Sequence, residues 1–391
     1  MEGGINLKSV AALLCAAAVM ATASPALASY SDVPSTHWAA AAVRYVAEDR
    51  DWMATGTGAF RPDDALLRRD WARALVRAFA PDEPADATEF YDVTPDDPDF
   101  TFVSVAVKHG WLGAPNGVFR PDSGVSKRVM DGSLVLALGL TQELAGLNAI
   151  SATGGVRLAH PGDFAANILA TELRFHHNYP TSNEAPEMLP ASVAHRADGA
   201  FALSRAVPAQ SDTATLNALQ AYRTISVGAL AGARRGVVEY AFSYVGYPYV
   251  WGGEWFRRTP DGYCCGAQPQ GGFDCSGWEW WLLRAASGGW DNSAFRPYAG
   301  WTLAERTAAS MAKAAPTRIG INSVAPLDLL FFDTDSSTAD GTDWSSIDHT
   351  GIALGNGWMI HSSSSRAGIS IARMNDAWWS AHFRWARRIV A

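Results

Sequence analysis

Basic charge is scarce in this 391-residue chain: 31 Lys and Arg stand against 39 Asp and Glu, and the cations form no local cluster. Without a cationic footprint there is little to neutralise phosphates, so nucleic acid is excluded as an expected partner. Cysteine is scarcer still, at four residues. Cys15 lies in an apolar leader, which leaves Cys264, Cys265 and Cys275. An odd number argues against a disulfide framework and leaves one thiol free. The neighbours Cys264 and Cys265 lack zinc-ligand spacing, so a local disulfide or plain burial are their readings, and no metal or organic cofactor is expected. Long apolar runs are missing too: Val10 to Ala21 is too short for a transmembrane anchor, and no later segment reaches the required length.

The leader itself has a recognisable form. Lys8 precedes the apolar run, and Ala26-Leu27-Ala28 supplies the small-x-small pattern of a cleavage site. Residues 1–28 therefore read as a signal peptide, which predicts an exported protein. The rest of the chain is long enough for at least two domains with separate cores.

The N-terminal half repeats. Tyr30-Ser31-Asp32-Val33 returns as Phe90-Tyr91-Asp92-Val93, Phe60-Arg61-Pro62-Asp63 as Phe119-Arg120-Pro121-Asp122, and Arg69 as Arg128, all about 60 residues apart. Each unit reads as helix, glycine-bearing loop, helix. Trp38, Val43 and Val46 line one face in the first unit, and Trp71, Leu75 and Phe79 another, so the units should pack side by side. Over about residues 30–140 they resemble S-layer homology modules. That resemblance implies an all-α bundle over 29–145 that anchors the protein to secondary cell-wall polysaccharide. Asp32, Arg69, Asp92 and Arg128 become the wall-polymer candidates, with helix caps and salt bridges as their plain alternative. A degenerate third module is expected over 146–206, visible only in its tail, His195-Arg196-Ala197-Asp198 with Phe201, Leu203 and Arg205. Residues 207–232 read as a linker running into a helix.

From residue 233 a helical portion (Val237 to Val245, then the helix after Cys275) precedes short strands at 329–332, 347–354, 358–362 and 369–373, an α+β order. Cys275 stands in Gly272-Phe273-Asp274-Cys275-Ser276-Gly277, where a loop turns into a helix expected over 276–286. Unpaired N–H groups and the helix dipole favour a thiolate there. His349 and His361 follow on a hairpin. A three-residue loop, Gly355-Asn356-Gly357, would pair Gly351 with His361 and put both histidines on one face at roughly 7–8 Å between backbones. A two-residue loop would put them on opposite faces. The three-residue loop is therefore predicted. His349 would then act as base toward Cys275, and His361 would orient it. The Cys275 N–H and the Tyr249 hydroxyl are oxyanion donors, Ser276 lies beside them, and Asp274 braces the turn.

These residues sit in segments that resemble the NlpC-type peptidoglycan peptidases: Tyr249-Val250-Trp251-Gly252-Gly253, Phe273-Asp274-Cys275-Ser276-Gly277, Pro326-Leu327-Asp328-Leu329, and His349 to Gly357 with Ile360-His361. The resemblance covers about 233–391. It implies a papain-like fold with Cys275, His349 and His361 as the triad, and peptidoglycan stem peptides as substrate, cut between D-γ-glutamate and diaminopimelate or lysine. Secretion to the cell wall or cell surface follows. An inactive wall-binding structural protein, or an N-acetylmuramoyl-L-alanine amidase, are the alternatives. Leu327 replaces the glycine usual in its turn. Residues 254–272 are longer than usual and should border the groove, and 334–346 form a second extended loop.

Overall fold

The structure is a computed structural model that describes residues 30–56, 58–283, 303–337 and 343–389. The leader over 1–28, with Cys15, the end of the expected helix at 284–286 and part of the 334–346 loop lie outside the described residues.

Residues 30–224 are built from helices joined by loops. Arg68–Phe79 forms a helix because its apolar residues recur at helical spacing; Trp71, Ala72, Leu75 and Val76 are buried, and Asp70 lies in the first turn, where the dipole favours a carboxylate. Three units close into a ring. The Leu66 N–H donates to the Ala194 carbonyl (2.9 Å), Val125 to Leu66 (2.8 Å) and Ala194 to Val125 (2.8 Å). The helices pair in the same cyclic order. Arg68–Phe79 packs on Phe100–Lys108, Lys127–Ala137 on Pro161–Glu172, and Arg196–Ala209 on Ala40–Val43. The Pro161–Glu172 helix packs on Lys127–Ala137 as Phe100–Lys108 packs on Arg68–Phe79, although no aromatic-x-Asp-Val opening marks it. Packing supplies what the motif does not: Phe164, Ile168 and Leu169 are buried.

Residues 207–232 run partly as helix (Thr213–Leu219), with Leu219, Tyr222, Ile225 and Val227 buried. The Tyr222 hydroxyl donates to the Ile371 carbonyl at 2.5 Å, and Arg223 pairs with Glu143 at 2.7 Å. The segment is packed between the ring and the C-terminal sheet.

The C-terminal region combines helices with a five-stranded antiparallel sheet, in the order Gly368–Arg373, Trp358–Ser363, His349–Gly355, Leu329–Phe332, Phe383–Arg387. The last strand was not expected from the sequence. It pairs with Leu329–Phe332 through a bulge, and its short alternation Phe-Arg-Trp-Ala-Arg is a weak period-two signal. The helix Cys275–Leu283 packs against the two central hairpin strands, and Ser276 through Leu283 are all buried. Trp278 and Trp281 are therefore core residues.

The hairpin differs from expectation in its turn and agrees in its parity. Gly355 pairs with Trp358 around a two-residue turn, Asn356 and Gly357, both at positive φ (53° and 81°), in the pattern of a type I′ turn. A bulge between Ala353 and Gly355 then shifts the register by one, with Gly355 at φ 86°. Beyond it Ile352 pairs with Ile360. A Cβ added at Gly351 would lie 3.3 Å from the His361 Cβ, as expected when these two residues are opposite each other.

Candidate active site

Cys275 is the first residue of its helix, and its place is set on both sides. Tyr249 bridges to Phe273, and Ser362, next to His361, donates from its hydroxyl to the Phe273 carbonyl at 2.7 Å. The sulfur lies 3.8 Å from the Asp348 carbonyl oxygen, and the Thr350 N–H faces it, so the thiol rests against the strand start that carries His349. The two histidines meet: Nε2 of His349 and Nδ1 of His361 are 2.9 Å apart. Nδ1 is the ring nitrogen of His349 outside that contact. Trp379 packs over the pair, with ring centroids 5.5 Å from His349 and 5.0 Å from His361. No sequence pattern singled out that tryptophan.

Electrostatics at rest differ from the thiolate expected at a helix start. Burial pushes the Cys275 thiol up, and Asp274 and Glu279 add to this, while the N–H groups of Ser276 and Thr350 oppose it. Cys275 still keeps partial exposure toward the cleft. Burial pushes His349 down to about 4 and His361 well below its ordinary value, the latter aided by His349 and Arg366. The resting pair is therefore a neutral thiol and a neutral imidazole. A nine-residue helix with acids on either side of its first residue offers too little positive potential to offset that burial.

Glu279, one turn beyond Cys275, is fully buried, and burial pushes its carboxyl well above the usual carboxylate range. Burial also raises Tyr249, whose hydroxyl keeps its proton and can donate.

Asp274 and Ser276 are engaged by a residue that the sequence did not single out. Arg306 is 8 % exposed and donates to Asp274 (3.0 and 3.1 Å), the Ser276 hydroxyl (2.9 Å), Glu254 (2.6 Å) and the Gly252 carbonyl (3.1 Å). Asp274 also accepts from the Gly277 N–H at 2.6 Å. It is bonded to the helix start, and Arg306 ties the neighbours of Cys275 to the insert. Arg306 lies 32 residues from Asp274 and carries no local motif.

The insert residues 254–272 form two short hairpin pairs, with Cys264 and Cys265 joined as a disulfide at the tip of one. Among the described residues no group of three or more His, Cys, Asp or Glu is placed to hold a metal ion. No helix among them is long and apolar enough to cross a membrane.

The four N-terminal candidates have internal partners. Asp32 accepts from the N–H groups of Phe60 (2.8 Å) and Arg61 (2.7 Å), and Asp92 repeats this with Phe119 (2.8 Å) and Arg120 (2.6 Å). Burial works against the Asp32 charge, but those bonds outweigh it and lower its pKa. Arg69 pairs with Asp122 (2.9 Å) and Asp99 (3.4 Å), and Arg128 with Asp163 (3.1 Å), each reaching into the next unit. All four brace loops or unit junctions.

The fold thus brings together a helix-borne thiol, a histidine pair on a hairpin and an antiparallel sheet. Residues 246–388 match the NlpC/P60 family, so the C-terminal region carries an NlpC/P60 domain. Similar chains include Protein P54 of Enterococcus faecium (28 % identical over 40 % of this chain and 22 % of that protein), and the bifunctional muramidase/DL-endopeptidase CwlT of Bacillus subtilis (32 % over 37 % and 33 %). The probable peptidoglycan endopeptidase LytE of the same organism is 28 % identical over 39 % of this chain and 33 % of its own. The chain thus spans a third or less of each of these relatives.

Proposed function

We propose that this protein is a cysteine peptidase that hydrolyses peptidoglycan stem peptides, with Cys275 as nucleophile, His349 as base and His361 as orienter. The observation that carries the reading is the 2.9 Å contact between Nε2 of His349 and Nδ1 of His361, on a hairpin whose first strand begins beside the Cys275 sulfur. Names of relatives as DL-endopeptidase and peptidoglycan endopeptidase support the substrate class.

His349 Nδ1 takes the thiol proton as sulfur attacks the scissile carbonyl, so the charged pair forms only with substrate in place. The oxyanion of the tetrahedral intermediate is met by the Cys275 N–H and the Tyr249 hydroxyl. His349 then returns its proton to the leaving amine, leaving a thioester. Water, deprotonated by the same nitrogen, cleaves the thioester and restores the thiol. His361 accepts the Nε2–H of His349 throughout, which selects the tautomer with a lone pair on Nδ1. The bond between D-γ-glutamate and the diamino acid is the one we assign to it.

We further propose that the protein is exported and held at the cell wall by its N-terminal units, read as S-layer homology modules that bind secondary wall polysaccharide. The closed ring of three units supports that reading. Since Asp32, Asp92, Arg69 and Arg128 have internal partners, any polymer contact by them would add to a bracing role.

Digestion of purified peptidoglycan fragments by the protein and by Cys275→Ala, followed by mass spectrometry, tests the activity. New termini at γ-glutamyl bonds made only by the unmodified protein are expected. A released lactyl-muramic acid would indicate an amidase, and no cleavage of either stem-peptide type would overturn the enzyme reading in favour of a wall-binding protein.

A further inference from the structure

A cavity of about 930 Å³ is lined by both halves, so that neither builds it alone. Thr181 and Glu184, from the third unit of the ring, form one wall; Trp251 and Gly252 form the floor; Arg258 and the Cys265–Pro269 stretch of the insert form the other wall. Its floor is tied to the site, because Arg306 holds the Gly252 carbonyl together with Asp274, the residue before Cys275. Tyr249, the oxyanion candidate, precedes Trp251 by two residues.

Trp251 is unusual. It is 66 % exposed, against 47 % for Trp378 and 37 % for Trp344, so its indole is an uncovered aromatic surface at a cavity. Its backbone is held rigidly all the same. The Trp251 N–H donates to Oε1 of Glu184 at 2.6 Å, and Glu184 is 6 % exposed, a buried acceptor supplied from the other half of the molecule. A second tie runs alongside, from the Gln270 side-chain amide to the Glu187 carbonyl at 2.8 Å. The segment before the His195 helix therefore straps the edge of the catalytic region.

On the strength of the peptidase reading, we propose that this cavity is a sugar subsite, which takes an amino-sugar ring still attached to the stem peptide. Its volume is at the upper end of small-ligand sites, roughly 300–1,000 Å³, and exceeds what the residues next to a scissile bond occupy. An exposed indole offers an apolar face to the C–H side of a pyranose, while the Thr181 hydroxyl and the Arg258 guanidinium offer hydrogen bonds at the rim. A fixed aromatic plate with a polar rim suits a ring that is apolar on its faces and polar at its edge. The ring of three units thus contributes to choice of substrate through Glu184 and Thr181.

The test compares two substrates on the full chain: a muropeptide bearing its disaccharide, and the same peptide with an acetylated amino terminus in place of the sugar. The unmodified protein should show the lower KM on the sugar-bearing substrate. Trp251→Ala should raise that KM by about tenfold, the upper range of an aromatic contact, and leave the peptide-only kinetics unchanged. Glu184→Ala should follow Trp251→Ala in part, and Glu184→Gln, which keeps the acceptor, should restore it. Equal KM values on the two substrates, or equal effects of Trp251→Ala on both, would overturn the proposal while leaving the peptidase reading intact. Should neither substrate be cleaved, the peptidase reading fails and the sugar site is read by calorimetry with Cys275→Ala protein. Trp251-dependent binding of the muropeptide supports the site; binding only of peptide-free wall polysaccharide, or of neither, overturns it.

Discussion

His349 and His361 share one face of a hairpin because Gly351 is opposite His361, which leaves His349 on the diagonal with its Nε2 2.9 Å from Nδ1 of His361. The relation depends on one extra residue. With the two-residue Asn356-Gly357 turn alone, parity would send the two rings to opposite faces; the bulge before Gly355 reverses it.

If His361 only orients His349, its removal should affect kcat and spare KM. His361→Ala is expected to lower kcat by on the order of 10² to 10⁴ with KM little changed, and His361→Asn should recover part of the loss through its acceptor. Steady-state kinetics on a stem-peptide substrate decide this; an intact kcat in His361→Ala would remove the residue from the mechanism.

Arg306 is the buried cation among Glu254 and Asp274, so truncation strands two carboxylates. Arg306→Met should destabilise the protein by roughly 3–5 kcal/mol and reduce turnover by loosening the helix start. Urea denaturation followed by circular dichroism measures the first effect. A midpoint within error of the parent would show that the network contributes nothing to stability.

The buried histidines predict a pH window. His349 titrates near 4 in the fold against about 6.5 in the unfolded chain, and His361 is also lowered, so the unfolded state binds protons first as pH falls. The stability they confer is complete above about pH 6.5 and declines progressively toward pH 4. Melting temperature should drop by several degrees across that window. The double variant His349→Asn/His361→Asn should flatten the slope, and an unchanged slope would contradict the assignment.

Leu327 occupies φ 71°, in the left-handed region, while its side chain is 1 % exposed. Leu327→Ala loses the packing and keeps the strain; Leu327→Gly loses the same packing and relieves it. Gly should therefore be more stable than Ala here by roughly 1 kcal/mol, the reverse of the usual order. Thermal denaturation of the two variants settles the sign.

The Tyr222 hydroxyl reaches across to the Ile371 carbonyl and links the segment after the ring to the outer strand of the sheet. Tyr222→Phe should cost about 1 kcal/mol, since it leaves a buried carbonyl without its donor. Faster hydrogen exchange in residues 368–373 is the expected local sign, and unchanged protection there would place the bond outside the stability of the sheet.

The candidate residues Cys275, His349 and His361 could be singled out in the chain because they rest on local regularities. Strands 329–332 and 358–363 alternate or run apolar between turn residues, and glycines flank Cys275 and Asn356. The two module-like units repeat their aromatic, Asp and Phe-x-Pro positions. Such signals act over a few residues, where backbone sterics and side-chain period determine the outcome. The Pro161–Glu172 helix as a third unit's opening, the Phe383–Arg387 edge strand, Arg306 at Asp274, Trp379 over the histidines and Glu184 beneath Trp251 were decided by the tertiary structure. Glu184 and Trp251 are 67 residues apart, and no periodicity or turn chemistry connects them. Their contact exists because the third unit packs on the catalytic region, and burial then makes a lone carboxylate and a backbone N–H seek each other. By itself, the sequence determined the helix start that carries Cys275 and the strands that carry the two histidines; only the packed halves decided what surrounds them.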